Sequence, residues 1–216
     1  MVSRLRCFIG GILFCFFTSS FALHATENDD LVKAMMEVYA EELAANPQDY
    51  RTYYSRAMAY FGQGDMKKAL SDIDNAIKYF PRKEKADLAQ AYLLRAKILS
   101  ERGEAKSALT DLKSALRLVP NHRLALKDRG DLLCRLGQYD MAKIDYNHLL
   151  RMDTRSQSAF MGLARVEAHT GQPVRAKDLL AQAVNLSPKD PKIYLERSEI
   201  YKEMDMMPEA VDDLVY

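Results

Sequence analysis

Residues that carry chemistry are scarce in this chain. Its four histidines, His24, His122, His148 and His169, stand far apart. None forms a His-x-x-x-His pair or joins a cysteine cluster, so no metal-ligand spacing is present. There is no Gly-x-Ser-x-Gly nucleophile turn and no phosphate-cradling glycine loop. The abundant Asp and Glu residues are spread over polar helix faces, and no two of them stand out as an acid/base couple. The sequence therefore predicts no enzyme: no catalytic residue, metal, cofactor or small-molecule substrate. Only three cysteines occur, Cys7, Cys15 and Cys134. If the first two leave with the N-terminal segment, Cys134 is alone and no intramolecular disulfide can form. Burial of its thiol against neighbouring helices is the expectation. A charge of one sign is missing as well. The 31 basic residues fall to 29 once Arg4 and Arg6 are removed, against 30 acidic ones, with the signs interspersed. That balance argues against nucleic-acid binding.

Long apolar runs are also few. The one at the N-terminus, Cys7 to Phe17, follows Arg4 and Arg6 and leads into Thr18-Ser19-Ser20. Ser20-Phe21-Ala22 and Leu23-His24-Ala25 each offer a small-residue cleavage site. This is the layout of a secretory signal peptide over residues 1–25. The run is short of the about 20 apolar residues that a spanning helix needs. The alternative is an uncleaved membrane anchor from Cys7 to Leu23. Bulky Phe14 beside Cys15 does not suit a lipoprotein signal. Residues 26–48 read as a capping helix: Asp29 or Asp30 can cap it, Leu31, Ala34, Met35, Val38, Tyr39 and Leu43 recur at helical spacing, and Asn46-Pro47 ends it.

From Tyr50 onward one pattern recurs about every 34 residues. One copy reads Tyr53-x-x-Arg56-Ala57-x-x-Tyr60, Gly64-Asp65, Ala69-x-x-x-Ile73-x-x-Ala76, Pro81. The next reads Tyr92-x-x-Arg95-Ala96-x-x-Leu99, Gly103-Glu104, Ala108-x-x-x-Leu112-x-x-Ala115, Pro120. The pattern resembles the tetratricopeptide repeat, a helix–turn–helix unit with the same skeleton of large, small and turn residues. The resemblance implies an all-α fold, an α-solenoid of antiparallel helix pairs. The domain spans 50–216, with repeats at 50–83, 89–122, 123–156 and 157–190 and an incomplete one at 191–216.

Aligned copies explain one another. Position 8 holds Ala57, Ala96, Gly130, Ala164 and Ser198, and position 20 holds alanine in every copy, because two helices approach closely only where neither projects bulk. Position 4 and position 24 carry large apolar fillers, among them Tyr146. Gly64, Gly103, Gly137 and Gly171 end the first helices, with Asp205 in the fifth copy. Pro81, Pro120 and Pro188 stop the second helices; Thr154 in repeat three lets that helix run on. The charged stretch 82–87 is an insert that lengthens the helix after it. Position 7 is Arg56, Arg95, Arg129 and Arg197 but Leu163 in repeat four. Position 23 is Asp72, Asp111, Asp145 and Asp213 but Leu179 in repeat four. Arginine and aspartate appear together and are replaced together. The simplest cause is contact, so each of four repeats should hold a partly buried ion pair.

Repeats of this family usually bind other proteins, in a concave groove lined by the first helices. In this register positions 2, 5, 9, 12 and 13 face it. The candidate groove residues are Arg51, Tyr54, Met58, Phe61, Lys97, Lys127, Asp131, Arg135, Arg165 and His169. Leu93 and Met161 either face it or pack between repeats. An apolar N-terminal end beside Lys97, Lys127, Arg135 and Arg165 suits a protein or peptide partner with an apolar anchor and an acidic or carboxylate group. Family members that clamp chaperone tails use a lysine and an asparagine where Tyr54 and Met58 stand, so that specialisation is not expected. The expected function is an exported, non-enzymatic interaction scaffold, periplasmic in a bacterium or secreted. The alternative is a structural subunit of an envelope assembly, touching membrane only through an uncleaved N-terminal segment.

Overall fold

The computed structural model describes residues 32–214. The signal or anchor segment and the capping aspartates Asp29 and Asp30 lie outside them. Among the described residues every regular element is a helix. These are α1 (32–45), α2 (Tyr50–Gly62), α3 (Met66–Tyr79), α4 (Lys85–Glu101), α5 (Ala105–Leu118), α6 (Arg123–Arg135), α7 (Tyr139–Met152), α8 (Gln157–His169), α9 (Pro173–Leu186), α10 (Pro191–Glu203) and α11 (Met207–Leu214). Two compact units divide at Tyr79/Phe80. The first contains α1–α3 and the second α4–α11.

Within the first unit α2 packs on α3; in the second, α4 packs on α5, α6 on α7, α8 on α9 and α10 on α11. Small residues set these contacts. Ala57, Ala69, Ala108, Ala142, Ala164, Ala176, Ser198 and Ala210 are completely buried. Each pair turns where a backbone with positive φ is needed. Gly64, Gly103, Gly137 and Gly171 adopt φ of 70–80°, and Asp205 adopts 57° in the fifth place. Aspartate is tolerated in that region at a cost glycine does not carry. The proline-stopped helices end at Tyr79, Leu118 and Leu186, each two residues before the ring. The expectation for Thr154 fails. Helix α7 ends at Met152, as long as its counterparts, because Asp153 turns extended (φ −152°, ψ 101°) and its carboxylate accepts the Arg155 N–H. An Asx turn does there what proline does elsewhere.

The four expected ion pairs form, each as a two-pronged contact between the helices of one pair. Arg56 Nε donates to Asp72 Oδ2 at 2.6 Å and Nη2 to Oδ1 at 2.9 Å. Arg95 reaches Asp111 at 2.7 Å on both prongs. Arg129 reaches Asp145 at 2.8 and 2.6 Å. Arg197 Nε reaches Asp213 Oδ2 at 2.8 Å, with a second contact from Nη2 to Oδ1. The aspartates are buried and the arginines half-buried. Tyrosine rings flank the guanidinium groups, Tyr53 and Tyr60 about Arg56 and Tyr194 and Tyr201 about Arg197.

Repeat four replaces this pair with buried Leu163 and half-buried Leu179, and gains a charge elsewhere. Glu167 is only 1% exposed, at a place that holds Tyr60, Leu99, Leu133 and Tyr201 in the other copies. Its Oε1 accepts from Lys143 Nζ of the preceding pair at 2.8 Å. Its Oε2 has no hydrogen-bond partner among the described residues. The repeat alignment gave no sign of this, because the hydrogen-bond partner of Glu167 lies in the preceding repeat; within its own repeat Arg175 Nη2 approaches Oε1 only to 3.6 Å.

Candidate functional site

Helices α6, α8 and α10 touch one another in succession and form the wall made by first helices in the second unit. Its centre is Asp131. Lys127, one turn earlier on α6, donates to Asp131 Oδ2 at 2.6 Å. The other oxygen, Oδ1, accepts the phenol hydroxyl of Tyr146 at 2.7 Å. Tyr146 belongs to α7, a second helix, and is completely buried. Its ring reaches the wall through a gap left by two glycines. A Cβ on Gly130 of α6 would lie 2.8 Å from that ring, and one on Gly162 of α8 closer still. Burial pushes the phenol's pKa far up, with Asp131 adding to it, so Tyr146 stays a donor.

The rest of the wall is organised around this point. Burial pulls the Lys127 ammonium down, but Asp131 outweighs it and the net shift is upward. Arg165 on α8 donates to Glu203 Oε2 of α10 at 3.3 Å, and His169 Nε2 lies 3.3 Å from the same oxygen. The His169 ring stacks on Tyr139 at 5.1 Å. Arg135 donates to Ser100 Oγ of α4 at 2.8 Å. Cys134 is buried, 3.8 Å from the Tyr146 hydroxyl, and burial raises its thiol pKa. Cavities open on the wall. One, about 250 Å³, lies between α4 and α6; another, about 550 Å³, is bounded by α6, α8 and α10. Asp131 lines both.

The second unit thus brings together Lys97, Lys127, Asp131, Arg135, Arg165 and His169. The remaining candidates sit on α2 of the first unit. There Arg51 is exposed beside the Tyr50 ring, Met58 is half exposed, and Tyr54 and Phe61 are half-buried. A cavity of about 850 Å³ between α1 and α2 in that unit is lined by other residues, Met35, Met36 and Tyr60 among them. Leu93 is buried in the core; Met161 is buried as well, but it also lines the larger cavity. Sequence reasoning missed Tyr146, counted as a filler, and Asp128, which lines the smaller cavity. A signal for Tyr146 was present: the bulkiest residue at position 24 coincides with glycine where the other copies carry alanine or serine.

Among the described residues no group of histidine, cysteine and acidic side chains could hold a metal ion, and no helix is long and apolar enough to cross a membrane. Paired helices with a row of first helices presenting polar groups define a helical-repeat interaction module. The tetratricopeptide repeat profile matches residues 54–123 and 127–191, and the chain belongs to that family. No curated protein matches it. Among solved structures it is similar to a tetratricopeptide repeat protein from Parabacteroides merdae, with a TM-score of 0.75, 26% identity, and 88% of this chain and 73% of that one covered. It also resembles MamA (TM-score 0.63, 18% identity, 71% and 87% covered). A third likeness is to YrrB, described as having an unusual peptide-binding site (TM-score 0.59, 18% identity, 82% and 89% covered). Proteins of this fold serve as protein–protein interaction scaffolds, and that is the class of this chain.

Proposed function

We propose that the second unit receives a segment of another protein along the wall of α4, α6, α8 and α10. The observation that carries this reading is Asp131, fixed from two sides before any ligand arrives. Ordering it in advance removes part of the cost of binding. The peptide-binding site ascribed to YrrB supports the same use of the fold. The acidic or carboxylate group expected of the partner falls to Arg135 in this reading, because its partner Ser100 is neutral and leaves the guanidinium charge unbalanced, whereas Lys127 is held by Asp131 and Arg165 by Glu203. Export belongs to the proposal as well and rests on the N-terminal sequence alone. An N-terminus at Leu23 or Thr26 in material recovered from the envelope would support it, and an intact Met1 would favour the anchored alternative. The groove is tested by selecting displayed random peptides on the full chain and measuring the best binder. A double change of Lys127 and Arg135 to glutamate should abolish binding. Undiminished binding by that variant would remove the wall from consideration.

A further inference from the structure

The cavity between α4 and α6 is lined by charges of both signs, but its two cations, Lys97 and Arg135, each interact with other groups, while two of its carboxylates make no such bond. Arg135 is engaged by Ser100, and Asp131 by Lys127 and Tyr146. Asp128 and Glu101 also line it, and neither has a hydrogen bond or ion pair with any described residue. Asp128 is half-buried, and that burial raises its carboxyl pKa. Lys97, Lys127 and His122 lie near enough to favour its charge, and Asp131 opposes it, but none of them bonds it. A carboxylate partly removed from water without a bonding partner is unfavourable where it stands. Ala96, Leu112, Leu124 and Leu132 supply the apolar part of the wall, beside the polar Lys97, Ser100 and Arg135. Leu124 is half exposed in spite of its size.

A cavity with an apolar stretch of wall and an uncommitted carboxylate beside it matches one kind of occupant. Lysine and arginine carry an aliphatic stem that packs on apolar surface and a cationic head that seeks an acceptor. We propose that this cavity takes a lysine or arginine side chain of the bound segment, with Asp128 as the residue that selects it and Glu101 at the rim. The assignment rests on the groove reading above and adds to it a partner feature of the opposite sign to the acidic group. Asp128 occupies position 6 of its repeat, outside the positions read as groove-facing. Its specificity is therefore local to this repeat.

The probe is the peptide selected on the full chain from a displayed random library, measured by calorimetry. The proposal expects a lysine or arginine at one fixed place in the selected sequences. Asp128→Asn should weaken that peptide about tenfold, the loss of one charge-assisted hydrogen bond. Asp128→Lys should restore affinity for the peptide carrying glutamate at that place. Replacing the peptide's cation by acetyllysine or citrulline should give the same loss on the unaltered protein, a readout that needs no variant to fold. Selected peptides without a fixed basic residue, or a peptide indifferent both to Asp128→Asn and to neutralisation of its cation, would overturn the assignment while leaving the groove in place. Binding unaffected by the Lys127 and Arg135 double change, or no peptide selected at all, would overturn both.

Discussion

Removing Arg129 alone should destabilise the protein far more than removing it together with Asp145. The Asp145 side chain is 2% exposed and that of Arg129 25% exposed, joined by two hydrogen bonds of 2.8 and 2.6 Å. Arg129→Leu leaves the deeper charge buried with neither bond, at a cost of about 3–5 kcal/mol. In a chain of this size each kcal/mol lowers Tm by about 2–4 °C, which places the single variant about 6–20 °C below the parent. Asp145→Leu strands the shallower partner, whose guanidinium can turn toward water, so its cost should be smaller, about 1–3 kcal/mol. The double leucine variant reproduces the arrangement that repeat four already uses with Leu163 and Leu179, and should lie within about 1 kcal/mol of the parent, as apolar replacements of buried ion pairs commonly do. Urea and thermal melts of the four proteins complete the cycle. Equal melting temperatures for Arg129→Leu and the double variant would refute the reasoning. A larger loss from Asp145→Leu than from Arg129→Leu would refute its burial argument.

The glycine gap gives a second test: Gly162→Ala should cost about 1–3 kcal/mol in thermal melts because its methyl meets the Tyr146 ring, and Tyr146→Leu should relieve that cost. Asp205→Gly should raise stability by about 1 kcal/mol, read from the urea midpoint, because φ at that turn is positive. Glu167→Leu should leave stability equal or raise Tm, since it removes a buried oxygen without a partner and Lys143 is exposed enough to turn outward. The raised carboxyl of Asp128 means the folded chain holds its proton more tightly than the unfolded one. Stability should therefore fall as pH rises from the ordinary aspartate pKa through the folded value, and a pH series of melts should show Asp128→Asn free of that fall.

Features fixed by spacing were legible in the sequence. The helix pairs, the small contact positions and the glycine turns each answer to one local requirement repeated in every copy, and repetition makes such a requirement visible. The Arg–Asp pairs were legible for a related reason: repeat four changes both members at once. What escaped is what occurs once. Asp153 ends α7 through an Asx turn that the absence of proline concealed. Glu167 pairs with Lys143 across two repeats, so no comparison within a repeat could link them. The groove positions carried over from the family resemblance named Lys127 and Asp131, the latter as the opposing charge, but could not foresee the direct bond between them or the Tyr146 hydroxyl on the other oxygen.

The singular residues nonetheless share a location, and that bears on function. Gly130, Tyr146 and Gly162 depart together from the repeat pattern, and the departure has a cost. Two helix-interior glycines give up roughly 1 kcal/mol each relative to alanine, and a buried phenol must find an acceptor. Their combined result is one hydroxyl delivered to one carboxylate on the wall, 2.7 Å from Asp131 Oδ1. An aliphatic residue at position 24 with alanine at position 8 fills the same layer in repeats one, two and four without any polar group, so packing alone does not require this solution. Specificity of Asp131's orientation is what the arrangement adds. Tyr146→Phe isolates that contribution, since the ring still fills the gap and only the hydroxyl is lost. Folding stability should fall by about 1 kcal/mol, while affinity for the selected peptide should fall as Asp131 is freed to swing with Lys127. A peptide affinity unchanged by Tyr146→Phe would reduce the tyrosine to a filler and leave the two glycines as its steric consequence.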